Sequence, residues 1–167
     1  AAAVRDPDPV IFFEHKSLYA TRGEVPDGEI LDTLGTAKIL RPGRDATIIA
    51  LAMMVPRSLE AAEILARDHG IDCEVIDVRS LVPLDTQTIL GSISRTGRLF
   101  TVEENPRLCG WGAEIASIAA DEIFYDLDGP IVRITTPHIP LPAADNLEDI
   151  VLPTPQRIVQ KIVRSMG

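Results

Sequence analysis

Residues 46–78 read ATIIALAMMVPRSLEAAEILARDHGIDCEVIDV, and this stretch decides the fold. The continuous apolar run at 46–52 has the length of a β-strand that is covered on both faces. The segment 57–70 then has the periodicity of an amphipathic helix, with Gly70 as its stop. A second apolar run at 73–78 begins the next strand. Two strands joined through a helix by short connections predict a right-handed crossover between parallel strands.

The same alternation continues to the end of the chain. It predicts the following elements: a helix that Asp85 caps and Gly97 ends, a strand at 98–104, a helix from about 111 to 125, a strand at 131–136 and a closing helix that starts at Thr154 and Pro155. We therefore expect a doubly wound α/β fold over residues 34–167, with a mostly parallel sheet and helices on both faces.

The first 33 residues do not follow this alternation. The segment DPVIFFEH at 8–15 has the composition of a strand, and the polar residues after it include the glycine and proline of a connector. A strand followed by a linker suggests the end of a preceding domain. We expect residues 1–33 to be the last strand of that domain and its linker.

Charge and composition exclude several classes of function. The chain has 16 basic and 25 acidic residues and a net charge of −9, which disfavours binding to nucleic acid or to an anionic membrane. Its apolar runs are shorter than the roughly 18 residues of a membrane span, and the start of the chain lacks the pattern of a signal peptide. Cys73 and Cys109 lie among apolar residues, so we expect two buried thiols in a reducing compartment such as the cytoplasm.

Polar residues follow several predicted strands, where ligands of open α/β sheets usually bind. These residues are Arg79, Glu103, Glu104 and His138. A free-standing module that binds a small ligand in their crevice is one possible function. Glu103 and Glu104 are adjacent on an extended segment, so alternation directs their side chains to opposite faces and they cannot act as a carboxylate pair.

Gly110 and Gly112 resemble the start of a dinucleotide fingerprint. However, Ile115 stands where the third glycine belongs, and the loop before the glycines is several residues too long. We interpret both glycines as allowing a tight turn and a helix that starts close to the sheet. The histidines have neither triad nor metal-site spacing. We therefore assign no catalytic, cofactor-binding or metal-binding residue.

The segment 135–155 contains five of the thirteen prolines of the chain. It is too apolar for a free linker and too rich in proline for a regular element. We expect an ordered loop that lies across the domain or a partner. Its predicted anchors are Leu141, Leu147, Ile150 and Leu152.

Several motifs together resemble a known family. They include EVIDVRSLVPLD at 74–85, TGRLFTVEEN at 96–105, GWGAEIAS at 110–117 and LEDIVLPTPQRIV at 147–159. The chain resembles the C-terminal half of the beta subunit of the thiamine-diphosphate-dependent component of 2-oxo acid dehydrogenase complexes. That group acts on pyruvate, branched-chain 2-oxo acids or acetoin and lies within the transketolase superfamily.

The resemblance implies an oxidoreductase that decarboxylates a 2-oxo acid, or cleaves acetoin, on thiamine diphosphate with magnesium and passes the acyl group to lipoamide. The superfamily's diphosphate motif opens with Gly-Asp-Gly. Its nearest strings here, PDGE at 26–29 and LDGP at 127–130, lack the leading glycine. We therefore expect the cofactor to bind outside this chain, and the chain alone to be inactive. Which substrate is used stays open.

The resemblance also implies partners. They are the alpha subunit, a second beta subunit and the docking domain of the acyltransferase core, and the isolated chain should self-associate. Its expected location is the cytoplasm, or the mitochondrial matrix in a eukaryote. The residues that we expect to contact partners are Glu103, Glu104, His138, Glu148 and Asp149.

Overall fold

The computed structural model describes residues 1–25, 27–30 and 33–167, and its centre is a five-stranded sheet. The strands are β1 (Lys38–Arg41), β2 (Ala46–Ala50), β3 (Cys73–Asp77), β4 (Leu99–Pro106) and β5 (Val132–Thr136). Their order in the sheet is β1-β3-β2-β4-β5. β1 pairs with β3 in the antiparallel sense, and the other three pairs are parallel. The mostly parallel sheet predicted from the sequence is confirmed.

The longer helices cover both faces of this sheet, and they are α2 (Met54–Ile64), α3 (Thr86–Thr96), α4 (Gly112–Glu122) and α6 (Pro155–Met166). The short helices α1 (Ala2–Arg5) and α5 (Asp145–Val151) have no buried residue. One turn of π-helix, Leu65–His69, extends α2. Residues of α2 and α6 share one buried cluster, and residues of α3 and α4 share the other. The doubly wound arrangement predicted from the sequence is therefore correct.

Neighbouring residues of the strands supply the two clusters in alternation. Ile48 packs into the cluster under α2 and α6, whereas Ile49 packs into the cluster under α3 and α4. Both side chains are fully buried. Burying one such side chain stabilises the fold by about 1.5–3 kcal/mol, so a strand that is apolar at nearly every position holds both helical layers.

The predicted helix caps are present. The Asp85 carboxylate accepts a hydrogen bond from the Thr88 amide at 3.0 Å, and α3 ends at Gly97 in the left-handed region with φ 67°. At α6 the Thr154 hydroxyl accepts from the Arg157 amide at 3.2 Å. These ends were predictable because cap chemistry is local to a few residues.

Three local features differ from what the sequence predicts. Residues 8–15 have no regular structure in this chain, because no strand of the described sheet pairs with them. The short strand β1 was not predicted, since its exposed residues carry little apolar periodicity. The segment 135–155 contains α5, and of its expected anchors Leu152 is buried while Leu141, Leu147 and Ile150 are exposed.

The two cysteines differ. Cys73 is buried in β3, and burial raises the pKa of its thiol to about 12. Cys109 is exposed, which corrects the prediction of a second buried thiol. It lies in the loop after β4, where apolar neighbours in the sequence do not imply a covered position. Within the described ranges, every helix is too short or too polar to cross a membrane.

Candidate functional site

The backbone leaves regular geometry at the carboxyl ends of three adjacent strands. Ala52 follows β2 with φ 51°, Arg79 follows β3 with φ 57°, and Cys109 lies after β4 with φ 56°. Non-glycine residues seldom occupy this left-handed region, and such positions cluster where loops are fixed for a purpose. These positions mark the carboxyl edge of the sheet as the candidate location of a functional site.

Glu103 lies inside the domain at this edge. Its buried carboxylate accepts two hydrogen bonds from the Arg133 guanidinium, both at 2.8 Å. Three more donors complete its shell, namely the Thr101 hydroxyl at 2.9 Å, the Asn105 amide at 3.1 Å and the Gly112 backbone N–H at 3.0 Å. Burial raises the pKa of Glu103, but these donors together hold it below its ordinary value. The carboxylate is ionised and its contacts lie within the domain.

Gly110 and Gly112 lie so close to the Glu103 carboxylate and its donors that a larger residue would not fit. A Cβ atom at Gly112 would lie 2.7 Å from the Thr101 hydroxyl, and one at Gly110 would lie 2.7 Å from the Arg133 guanidinium. Both distances are shorter than real Cβ contacts. The glycines therefore let α4 start directly over the buried ion pair, which agrees with their structural interpretation from the sequence.

Glu104 faces the other way, as the strand alternation predicted. Its carboxylate pairs with His15 Nε2 at 2.9 Å, and about a third of its side chain is exposed. The Thr136 hydroxyl donates to the Glu104 carbonyl at 2.6 Å. The pair with His15 fastens the N-terminal segment to the end of β4. Sequence reasoning did not connect His15 with Glu104, because the two residues are far apart in the chain.

An open cleft of about 320 Å³ lies between the N-terminal segment and the ends of β2 and β3. Arg79 lines it and pairs with Asp77 at 2.9 Å, while the Tyr19 hydroxyl donates to Glu14 at 2.6 Å. The other predicted crevice residues, Glu103, Glu104 and His138, lie outside this cleft. The structure does not assemble the crevice that the ligand-binding alternative requires.

A second candidate surface lies on α5. We call it the α5 surface and define it as Asp145, Leu147, Glu148, Asp149 and Ile150. The Asp149 side chain is 73% exposed, Glu148 is half-buried, and Ile150 is 73% exposed. This surface combines three acids with two apolar side chains. His138 is also exposed, on the chain that leads to α5.

The string LDGP, which is one of the two nearest to the superfamily's diphosphate motif, forms a turn away from the carboxyl edge of the sheet. In the string LDGP, the Asp128 amide donates to the Gly97 carbonyl at 2.8 Å and Gly129 packs against the Arg98 guanidinium. This turn lies at the amino ends of β4 and β5, away from the carboxyl edge. In PDGE, Pro26 lies outside the described residues. Among the residues that the structure describes, His, Cys, Asp and Glu side chains form no group able to hold a metal ion.

The fold and these sites define a class, an α/β domain whose charged residues at the carboxyl edge are engaged in internal contacts. Comparison with protein families then gives the particular one. Residues 35–158 match the family described as "Transketolase, C-terminal domain", and the chain belongs to that family.

Curated relatives agree with the resemblance seen in the motifs. The chain is 46% identical over 167 residues to the acetoin:2,6-dichlorophenolindophenol oxidoreductase subunit beta of Bacillus subtilis, covering 99% of this chain and 48% of that one. It is 44% identical over 160 residues to the pyruvate dehydrogenase E1 component subunit beta of Rickettsia felis, covering 96% and 49%. The Drosophila melanogaster subunit, named mitochondrial, is 42% identical over 171 residues, covering 99% and 47%. The chain thus spans about half the length of these relatives.

Solved structures give the same fold. A chain described as "Split gene transketolase, inactive beta4 tetramer" matches with a TM-score of 0.69 and 29% identity, covering 86% of this chain and 45% of that one. A 2-oxoglutarate:ferredoxin oxidoreductase from Magnetococcus marinus matches with a TM-score of 0.51 and 13% identity, covering 79% and 19%. The second match bears on the fold alone.

Proposed function

We propose that this chain is the C-terminal assembly and docking half of a beta subunit in a 2-oxo acid dehydrogenase complex. The observation that carries the proposal is its 46% identity, along almost its whole length, to the beta subunit of an acetoin oxidoreductase. The internal pairing of Glu103 with Arg133 supports an architectural role, because it leaves that carboxylate no access to a substrate.

In this proposal the whole enzyme carries out the chemistry. It decarboxylates a 2-oxo acid or cleaves acetoin on thiamine diphosphate with magnesium, and it transfers the acyl group to lipoamide. The cofactor is held by parts of the enzyme outside this chain. The complex works in the cytoplasm, or in the mitochondrial matrix of a eukaryote, and the relative from Drosophila melanogaster is named mitochondrial.

Residues 1–33 belong, in the same proposal, to the end of a preceding pyrimidine-binding domain and its linker. Ile11, Phe12 and Phe13 are 80%, 73% and 90% exposed. Three consecutive exposed apolar side chains outside any helix are typical of a strand whose sheet is elsewhere. The pair between His15 and Glu104 ties that segment to the domain.

The proposed partners are the alpha subunit, a second beta subunit and the docking domain of the acyltransferase core. The net charge of −9 and the acids of the α5 surface favour a basic docking domain. Glu148 and Asp149 are the proposed contacts. Association between beta subunits is supported by the structural relative described as a beta4 tetramer.

Two titrations test the proposal. Calorimetry with thiamine diphosphate and magnesium should show no saturable binding to the chain, and micromolar binding would contradict the placement of the cofactor elsewhere. A purified acyltransferase docking domain should bind the chain, with an affinity that falls steeply as salt is added, because salt screens charge pairs. Absence of binding at low salt, also by the chain assembled with the remaining subunits, would refute the docking role.

The cleft of about 320 Å³ favours one alternative, binding of a small ligand at a site that contains Arg79 but not Glu103, Glu104 or His138. Arg79 and Asp77 supply its charged wall. A screen of small acids and amines by NMR separates the two functions. Under the alternative, amide shifts should cluster around the cleft and disappear in Arg79→Ala, whereas the assembly role predicts no saturable site there.

A further inference from the structure

The short helix α5 is held in place by two arginines from other helices. All seven of its residues keep part of their surface in solvent, so packing of α5 against the core contributes little. A helix of this length is also marginal on its own. Its position therefore depends on contacts at its C-terminal end, where Leu152 is buried directly after the helix and two arginines contact the chain.

Arg157, in the first turn of α6, makes two of these contacts. Its Nη1 donates to the Val151 carbonyl at 2.9 Å, and its Nη2 donates to the Thr135 carbonyl at 3.0 Å. Val151 is the last residue of α5, where carbonyls lose their helical partners and a cation is favourable. Thr135 lies on β5, the edge strand of the sheet. One guanidinium thus joins the end of α5 to the edge of the sheet.

Arg57, in α2, makes two further contacts. Its Nη1 donates to the Pro153 carbonyl at 3.0 Å, and its Nη2 lies 3.7 Å from the Asp149 carboxylate. The Arg57 side chain is only 19% exposed. A planar guanidinium with several donors in fixed directions can hold two acceptors at once, which a lysine ammonium on a flexible stem does less well.

We propose that Arg57 and Arg157 are positioning residues that fix α5 against the edge of the sheet and so set the direction in which the α5 surface meets a basic docking domain. This inference rests on the proposed docking role. It also gives Asp149 a second role beside contact with the partner, because its carboxylate pairs with Arg57 and so helps to orient α5.

Because Arg57 and Arg157 are positively charged, their removal has opposite effects on partner affinity under a positioning role and under simple charge attraction. Arg57 and Arg157 are cations, so removing either makes the surface more negative and, by charge alone, should strengthen binding of a basic partner. Positioning predicts the opposite. Arg157→Gln and Arg57→Gln should each weaken binding of the acyltransferase docking domain by about tenfold, the value of one charged hydrogen bond. Arg164→Gln, at an exposed position of α6, is the matched control and should bind at least as tightly as the wild type.

Hydrogen exchange in the full chain tests the structural step without any partner. Amides of α5 should exchange about tenfold faster in Arg157→Gln, while amides of β2 and α3 stay protected as in the wild type. Arg157→Lys keeps the charge but loses the two-acceptor geometry, so its α5 amides should exchange nearly as fast. Wild-type protection of α5 in Arg157→Gln, or full rescue by lysine, would overturn the proposal.

The binding measurement and the hydrogen-exchange measurement can fail independently. If the wild-type chain does not bind the docking domain, the proposed function fails, whereas the exchange measurement still decides whether the arginines hold α5. If exchange accelerates but Arg157→Gln binds as tightly as Arg164→Gln, α5 is fixed by these arginines but does not direct the partner, and the inference is overturned.

Discussion

The side chain with the largest individual consequence is Glu103, because five donor groups surround its buried carboxylate and two of them belong to Arg133. Glu103→Gln keeps the shape but leaves a buried guanidinium without this counter-charge. We expect a loss of about 3 kcal/mol or more in the free energy of unfolding, measured by urea titration at neutral pH. Glu104→Gln removes the partly exposed pair with His15 and should cost under about 1 kcal/mol. Equal losses for the two variants would show that the buried pair contributes no more to stability than the partly exposed one.

The same carboxylate makes stability depend on pH. The pKa of Glu103 in the folded state lies below its ordinary value of 4.5, so its contribution is fully present above that pH and is lost as the pH falls through the folded value. The difference in unfolding free energy between wild type and Glu103→Gln should therefore be constant near neutrality and shrink in acid. Urea titrations across the acid range check this, and a difference that grows in acid would contradict the ionised assignment.

Thr47 joins the central strand to α3 through buried hydroxyls. Its Oγ1 lies 2.7 Å from Ser92 Oγ and 2.8 Å from Thr96 Oγ1. Thr47→Val keeps the volume but removes a hydrogen-bond partner from both hydroxyls, so we expect a loss of about 1–3 kcal/mol in urea unfolding. Thr47→Ser keeps the hydroxyl and should cost only about 1 kcal/mol for the missing methyl. A larger loss for serine than for valine would refute this role of the hydroxyl.

At the scale of elements, two helical glycines predict opposite outcomes. Gly112→Ala forces a Cβ against Glu103 and Thr101 at the start of α4, and we expect a loss of at least about 2 kcal/mol. Gly91→Ala, at an exposed position within α3, meets open space and should gain about 0.5–1 kcal/mol from helix propensity. Thermal unfolding of both variants checks the pair. Similar shifts in the two midpoints would mean that α4 does not need its close approach to the sheet.

The elements that the sequence predicted are those set by local chemistry. Asp85 and Thr154 begin their helices where expected, because a cap needs only its own next three residues. β1 and α5 were missed. β1 becomes a strand by pairing with β3, and α5 is held in part by Arg57, which lies far away in the sequence. The alternation of side chains along a strand correctly predicted that Glu103 and Glu104 point to opposite faces. It could not reveal that the face of Glu103 is covered, because Arg133 lies far along the chain on another strand.

At the scale of the whole molecule, the exposed apolar segment of the N-terminal region predicts self-association. Phe12 and Phe13 are 73% and 90% exposed on one stretch. We expect sedimentation equilibrium to show oligomers of the wild-type chain and a shift toward monomer in the double variant Phe12→Asp, Phe13→Asp, because charges oppose burial of that stretch. Tyr125→Asp, at a side chain that is 97% exposed elsewhere, is the control and should leave the mass unchanged. Unchanged oligomers in the double variant would place the contact elsewhere.

The adjacency of Glu103 and Glu104 gives the molecule a mechanical property. Tension on the N-terminus passes through His15 to Glu104 and enters the backbone of β4. The residue before Glu104 is Glu103, which Arg133 anchors to the neighbouring strand β5. The outer link is partly exposed and the inner one is buried, so they should break in that order. In a pulling experiment the N-terminal segment would peel away at low force, and the sheet would yield only later. The end of β4 would thus release the N-terminal segment while the buried pair of Glu103 and Arg133 stays intact.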